Sequence, residues 1–164
     1  MNTLVLGMGN PILGDDAVGI RLARELHARL GDPEHVDFIE ECCVGGLNLL
    51  DLMAGHERLV VVDSIKTSGG RPGTWYRFDA SSLRETMNLR NVHDTNFATA
   101  LQLGREMGMV LPNDAECHIF AVEIADNDTF SEELSDALRE AYPELVEEIA
   151  AEVAALLGLV PGRD

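Results

Sequence analysis

Two adjacent carboxylates, Asp15 and Asp16, close the opening segment Leu4-Val5-Leu6-Gly7-Met8-Gly9-Asn10-Pro11-Ile12-Leu13-Gly14-Asp15-Asp16-Ala17-Val18-Gly19. A third carboxylate, Asp63, ends the apolar run Arg58-Leu59-Val60-Val61-Val62. A histidine, His93, stands in Asn91-Val92-His93-Asp94, ahead of a helical pattern. Aspartates are hard oxygen donors and imidazole is a borderline nitrogen donor. Two carboxylates and one imidazole with positions left open suit a transition metal such as nickel, zinc or iron. Singly, each residue has an ordinary explanation. Asp16 can cap a helix, Asp63 can cap the turn that follows it, and His93 can be a surface loop histidine. Whether they act together depends on the elements that carry them.

The apolar run from Thr3 to Met8 reads as a buried strand, and the spacing of Val18, Leu22, Leu26 and Leu30 predicts a helix from Asp16 to Leu30. Gly31-Asp32-Pro33 stops it. Val36 to Cys42 reads as a second strand, Leu47 to Met53 as a short helix and Arg58 to Asp63 as a strand buried on both faces. A Gly- and Pro-containing loop, 68–73, leads to an alternating edge strand from Thr74 to Phe78. Ser81 to His93 is irregular, and Thr95 is the expected N-cap of the next helix. Cys117 to Ile124 reads as a strand. Thr129 and Glu132 match a capping box opening an acidic helix, and Pro143 is expected in the first turn of a last helix. Strands alternating with helices imply a single α/β domain over residues 1–160, a three-layer sandwich with a mostly parallel sheet, helices on both faces and a frayed tail at 161–164. In such folds ligands bind outside the carboxyl ends of the strands, near a switch in strand order. Asp15, Asp16 and Asp63 all fall on that rim, and the loop before His93 can bring the imidazole over it.

The Gly-x-Gly pair raises the alternative of a dinucleotide site. Its third glycine would fall at position 12, which is Ile12, while Glu40 or Glu41 could serve as the ribose-binding acid. Asp15 and Asp16 argue against it, because a helix N-terminus that already carries carboxylates repels a pyrophosphate and attracts a cation. Cys42, Cys43 and Cys117 lack the paired spacing of a thiolate metal site and read as buried structural thiols. His27, His35, His56 and His118 have no partner pattern, and no Gly-x-Ser-x-Gly nucleophile turn occurs.

Twelve basic residues against 29 acidic ones give a net charge of −17. Between Asp114 and Glu152 stand 13 acidic residues and one basic one, Arg139. This balance excludes nucleic-acid backbones and anionic membranes as partners, since both need Lys and Arg to replace counterions. It suits a solvated acidic face or steering toward a cation or a basic partner. No apolar run approaches the ~20 residues of a membrane span, and no secretory signal is visible. A cytoplasmic location with reduced thiols is the expectation.

Taken together, the opening GMGNPILGDDAVGI, the VVVDS strand end, a histidine ahead of a long helix and two final helices resemble the hydrogenase maturation proteases. These are the C-terminal processing endopeptidases of [NiFe]-hydrogenase large subunits, and the likeness runs over nearly the whole chain. The resemblance implies that Asp16, Asp63 and His93 are the catalytic, metal-contacting residues. It implies no tightly bound cofactor, because the nickel is carried by the substrate, the precursor of a hydrogenase large subunit with a short C-terminal extension. A monomer is expected. One departure stands out: where the family usually shows Asp-Gly-Gly-Thr-x-Gly after the second strand, this chain reads Glu41-Cys42-Cys43-Val44-Gly45-Gly46, in a segment expected to line the substrate groove. Two rival readings remain. A nickel-binding accessory or scaffold protein would use the same rim without cutting. The Gly-x-Gly-Asn-Pro start also resembles peptidyl-tRNA hydrolases, which require a basic groove and a histidine soon after the first strand. The chain has neither, its first histidine being His27.

Overall fold

The computed structural model describes residues 1–42, 48–85 and 92–159, with side chains outside 83–85 and 92–98. Its centre is a five-stranded sheet built from β1 (Thr3–Met8), β2 (Val36–Cys42), β3 (Arg58–Ile65), β4 (Trp75–Asp79) and β5 (Cys117–Glu123), in the order β2-β1-β3-β5-β4. Four strands run parallel and β4 pairs antiparallel with β5 at the edge. β1, β3 and β5 are almost wholly buried and mostly apolar because both of their faces are covered. The edge strand β4 is only half-buried.

Strand alternation sends side chains into two separate cores. Val5, Val60, Val62, Phe120 and Val122 meet α1 (Val18–Leu30) and α5 (Asp136–Leu156) on one face. Leu4, Leu6, Leu59, Val61 and Ile119 meet α2 (Asn48–Met53), the start of α3 (Ala80–Glu85) and α4 (Val92–Glu106) on the other. The expected three-layer α/β arrangement is thus the observed one. The order places β1 and β3 side by side while the chain leaves β1 toward β2, so their carboxyl ends form the switch point. No helix of the described residues is long and apolar enough to cross a membrane.

Several element boundaries differ from the sequence expectation. Asp16 is not in α1 but in a 3-10 turn, Gly14–Ala17, whose Asp16 N–H donates to the Leu13 carbonyl at 3.1 Å. β3 continues two residues beyond Asp63, because Ile65 still pairs with Glu123. α4 begins at Val92, so Thr95 lies inside the helix rather than capping it. The capping box at Thr129 and Glu132 opens no helix. Asp126 accepts the Thr129 hydroxyl together with the N–H groups of Asp128 (2.8 Å) and Thr129 (3.2 Å), turning the chain instead. The acidic helix and the last helix are a single element, α5, with Pro143 in its interior. An interior proline forfeits one helical bond and costs about 3 kcal/mol. Burial of Leu138 on its N-terminal side and of Leu145, Val146, Ile149 and Val153 on its C-terminal side outweighs that loss, at roughly 1.5–3 kcal/mol per large apolar side chain. The tail at 161–164 lies outside the described residues.

Candidate active site

The carboxyl end of β1 enters a turn in which Gly9 adopts φ +146° and folds the chain back over the residues ahead of α1. A Cβ at Gly9 would lie 2.1 Å from the Asp16 carbonyl oxygen, so this turn admits only glycine. α1 then rests directly on the sheet. At Gly19 a Cβ would meet the carbonyl oxygens of Met8 (2.4 Å) and Val62 (2.5 Å) and the Cα of Asp63 (3.0 Å). The Gly-x-Gly pair and Gly19 therefore bring the Asp16 turn against the end of β3, with no room used by a phosphate.

Asp16 and Asp63 converge on a single residue. The half-buried Asp16 accepts the Ser64 hydroxyl at Oδ1 (2.6 Å) and the Asn10 N–H at Oδ2 (2.9 Å). Asp63, only 3% exposed, accepts the Ser64 N–H at Oδ1 (2.8 Å). The turn N–H that a nucleotide phosphate would need is thus occupied by the chain's own carboxylate. Asp16 and Asp63 thus share Ser64 as a hydrogen-bond donor at the rim. Ser64 is a member of this site that the sequence reading did not single out. The available signal was strand alternation: Ser64 follows Asp63 and projects a polar side chain to the α1 face, where Val60 and Val62 are apolar.

His93 lies in the first turn of α4, and its side chain falls outside the described residues. Near the C-terminal end of α4, Met109 N–H donates to Gly104, and Val110 accepts from Gly55, which precedes β3. That end therefore sits at the amino rim of the sheet, and the 15-residue helix carries its first turn toward the carboxyl rim. α4 covers the face to which Leu59 and Val61 project, the strand parity shared by Asp63. Among the described residues no cluster of three His, Cys, Asp or Glu side chains is set to hold a metal; Asp16 and Asp63 supply two carboxylates.

Asp15 has a different task from its neighbour. It is 1% exposed and accepts four hydrogen bonds from across the molecule: Ala125 N–H (3.1 Å), Asp126 N–H (3.2 Å), Ser135 N–H (2.7 Å) and Ser135 hydroxyl (2.8 Å). Ser135 is the N-cap of α5, so Asp15 ties the loop after β5 to the start of that helix. The other candidates resolve locally. Glu40 and Glu41 are bound to His27 and Arg24 on the surface between α1 and β2, so neither is presented to a ribose. His27 also stacks on Phe38, and its bonds to Asp32 and then Glu40 hold its pKa above the ordinary value. His56 bonds to Asp37, and His35 lies on the surface. Cys42 and Cys117 are buried, and desolvation pushes the Cys117 thiol up to about 12. Cys43 lies outside the described residues, as do the other residues of the segment 43–47.

Comparison with known proteins accords with this geometry. The family model for hydrogenase maturation protease matches residues 20–152. The hydrogenase 2 maturation protease of Escherichia coli strain K12 is 36% identical over 74 residues, covering 45% of this chain and 44% of that protein. The hydrogenase expression/formation protein HupD of Bradyrhizobium diazoefficiens is 36% identical over 62 residues, 38% of this chain and 32% of its own. These alignments span less than half the length of the curated relatives. Over the whole fold, the hydrogenase maturating endopeptidase HybD from E. coli superposes with TM-score 0.79 at 26% identity, covering 96% of this chain and 92% of that one. The HybD maturation protease of Thermococcus kodakarensis shares the fold with TM-score 0.70 at 24% identity, over 94% and 99% of the two chains. The chain belongs to the hydrogenase maturation protease family.

Proposed function

We propose that the chain is an endopeptidase that removes a short C-terminal extension from the nickel-loaded precursor of a [NiFe]-hydrogenase large subunit, and that Asp16, Asp63 and His93 contact the nickel the precursor carries. The observation that carries this reading is the pair of carboxylates bonded to Ser64 at the switch point of a fold shared with maturation endopeptidases. The metal is part of the substrate. Two hard oxygen donors and one imidazole complete the shell of an ion presented by a partner without stripping it from its own ligands, and the hydrogen bonds from Ser64 and Asn10 fix the carboxylates for that contact. A carbonyl beside the ion is polarised, or a water on it acidified. A carboxylate on the rim then takes the proton from the attacking water. The half-buried Asp16 is the more accessible of the two for that proton transfer, and the nearly buried Asp63 is the more rigidly set donor.

The test is a panel of Asp16→Asn, Asp63→Asn and His93→Ala assayed against nickel-loaded precursor. Each variant is expected to lose at least ~100-fold in cleavage rate while keeping its far-UV circular dichroism. A variant that cuts at the wild-type rate removes that residue from the site.

A further inference from the structure

The basic side chains divide into two groups that the fold separates. Arg24, Arg29, Arg58, Arg77, Arg105 and Arg139 each pair with a carboxylate within 4 Å. Arg21 donates to the Glu132 carbonyl. Among the described residues, Lys66 and Arg71 alone of the cations have neither an ion pair nor a side-chain hydrogen bond, and both are exposed. Asp126 is the carboxylate that senses the Lys66 charge, and its oxygens are already taken by Asp128 and Thr129.

Lys66 and Arg71 occupy one loop, which leaves β3 three residues after Asp63. That loop is pinned from beneath by Glu123, the last residue of β5, which is 0% exposed. Glu123 accepts the Thr67 N–H (2.8 Å), the Thr67 hydroxyl and the Tyr76 hydroxyl (3.3 Å). Its backbone exchanges two further bonds with the far end of the loop, Gly73 N–H to Glu123 O (2.9 Å) and Glu123 N–H to Thr74 O (2.8 Å). At Gly70 a Cβ would fall 1.6 Å from Glu123 Oε1, so the loop lies directly on the carboxylate. A fully buried acid on the parity of Asp63 thus holds a two-cation loop at the rim that carries Asp16 and Asp63. Its rigidity means that a ligand anion binds without ordering the backbone first.

We propose that Lys66 and Arg71 bind the terminal α-carboxylate of the extension that is cut away. The inference rests on the proposed C-terminal processing. A segment removed from a chain's C-terminus always ends in a carboxylate, and elsewhere this acidic surface repels it. Lys66 follows Asp63 by three residues, at most about 10 Å along the backbone, so the loop begins within side-chain reach of a peptide held beside Asp63. The loop thereby selects a free chain end at short range over an internal peptide segment.

The experiment uses the full-length protein and nickel-loaded precursors whose extension ends either in the free acid or in the amide, prepared by ligation. Amidation is expected to raise KM about fivefold, the scale of a partly exposed ion pair, with kcat unchanged. Lys66→Ala with Arg71→Ala should raise KM for the free acid by a similar factor and abolish the difference between acid and amide. The melting temperature should stay near that of the wild type, since neither side chain has an ion pair or a side-chain hydrogen bond among the described residues. Equal KM for acid and amide in the wild type overturns the inference, as does a double variant that still distinguishes them. A wild-type protein that leaves the free-acid, nickel-loaded precursor uncut refutes the proposed processing instead.

Discussion

Replacing Asp15 or Asp16 by asparagine should separate two neighbouring carboxylates into one that holds the fold and one whose charge the fold can lose. Asp15 Oδ2 accepts from Ala125 N–H, Asp126 N–H and the Ser135 hydroxyl, while Oδ1 accepts from Ser135 N–H. In Asp15→Asn the retained oxygen can keep Ser135, but the new amide group faces two backbone N–H groups as a donor against donors. Stranding each costs ~1–3 kcal/mol, and exposure of Ala125 to water puts the sum near the low end, about 2–3 kcal/mol. For a chain of this length each kcal/mol moves the melting temperature by about 2–4 °C, so a fall of roughly 5–10 °C is expected. Asp16→Asn behaves differently. The Ser64 hydroxyl can reverse from donor to acceptor toward the amide, and the remaining oxygen still accepts from Asn10. Only the charge assistance is lost, about 1 kcal/mol, and Tm should stay within ~4 °C of wild type. Thermal melts followed by circular dichroism under one buffer condition check both values. Equal destabilisation by the two variants, or an Asp15→Asn protein that melts with the wild type, would refute the division of labour.

Three further outcomes follow from buried or paired side chains. His118 is 14% exposed, its Nε2 has no hydrogen-bond partner and lies 3.6 Å from Glu116, and burial, then the Arg77 charge, holds its pKa below 6.5. The unfolded chain therefore binds the proton first, and stability should fall as pH drops from about 6.5 through the folded pKa. His118→Asn should flatten that acid limb, and a wild-type limb surviving unchanged in the variant would contradict the assignment. His27 has the opposite sign: bonds to Asp32 and Glu40 raise its pKa, so its contribution is complete below about 6.5 and is lost as pH rises through the folded value. An NMR titration should place His27 above 6.5 and His118 below it, and the reverse order would exclude both accounts. The Cys117 thiol, pushed up to about 12 by burial, should resist maleimide at pH 8 in the native protein and react on unfolding; peptide mapping that finds native Cys117 labelled at a free-thiol rate would show that site to be open.

The sheet and the pair of aspartates were legible in the sequence because they rest on local signals. β3 and β5 are buried on both faces, so their apolar runs mark them without reference to a partner, and alternation of strands and helices then dictates a rim. Asp16 and Asp63 fall on that rim from their positions alone. What the sequence did not reveal depends on contacts distant along the chain. Asp15 stands beside a helix start in the sequence, yet its partners are 110–120 residues away. Thr129 and Glu132 carry the right spacing for a capping box, but Asp126 captures the Thr129 hydroxyl. Pro143 reads locally as a helix start, whereas the N-cap at Ser135 and the buried Leu138 begin the helix two turns earlier. Glu123 gave no signal at all, because a lone acid at a strand end acquires its meaning only from Thr67, Gly70 and Tyr76 folding over it.

The most direct test of the central claim is to incubate the protein with its cognate large-subunit precursor, once loaded with nickel and once nickel-free, and to follow the precursor's C-terminus by mass spectrometry. Loss of one short peptide from the nickel-loaded form alone is the predicted result. Equal trimming of both forms would contradict recognition of the carried metal, and an unchanged mass in both would contradict proteolysis.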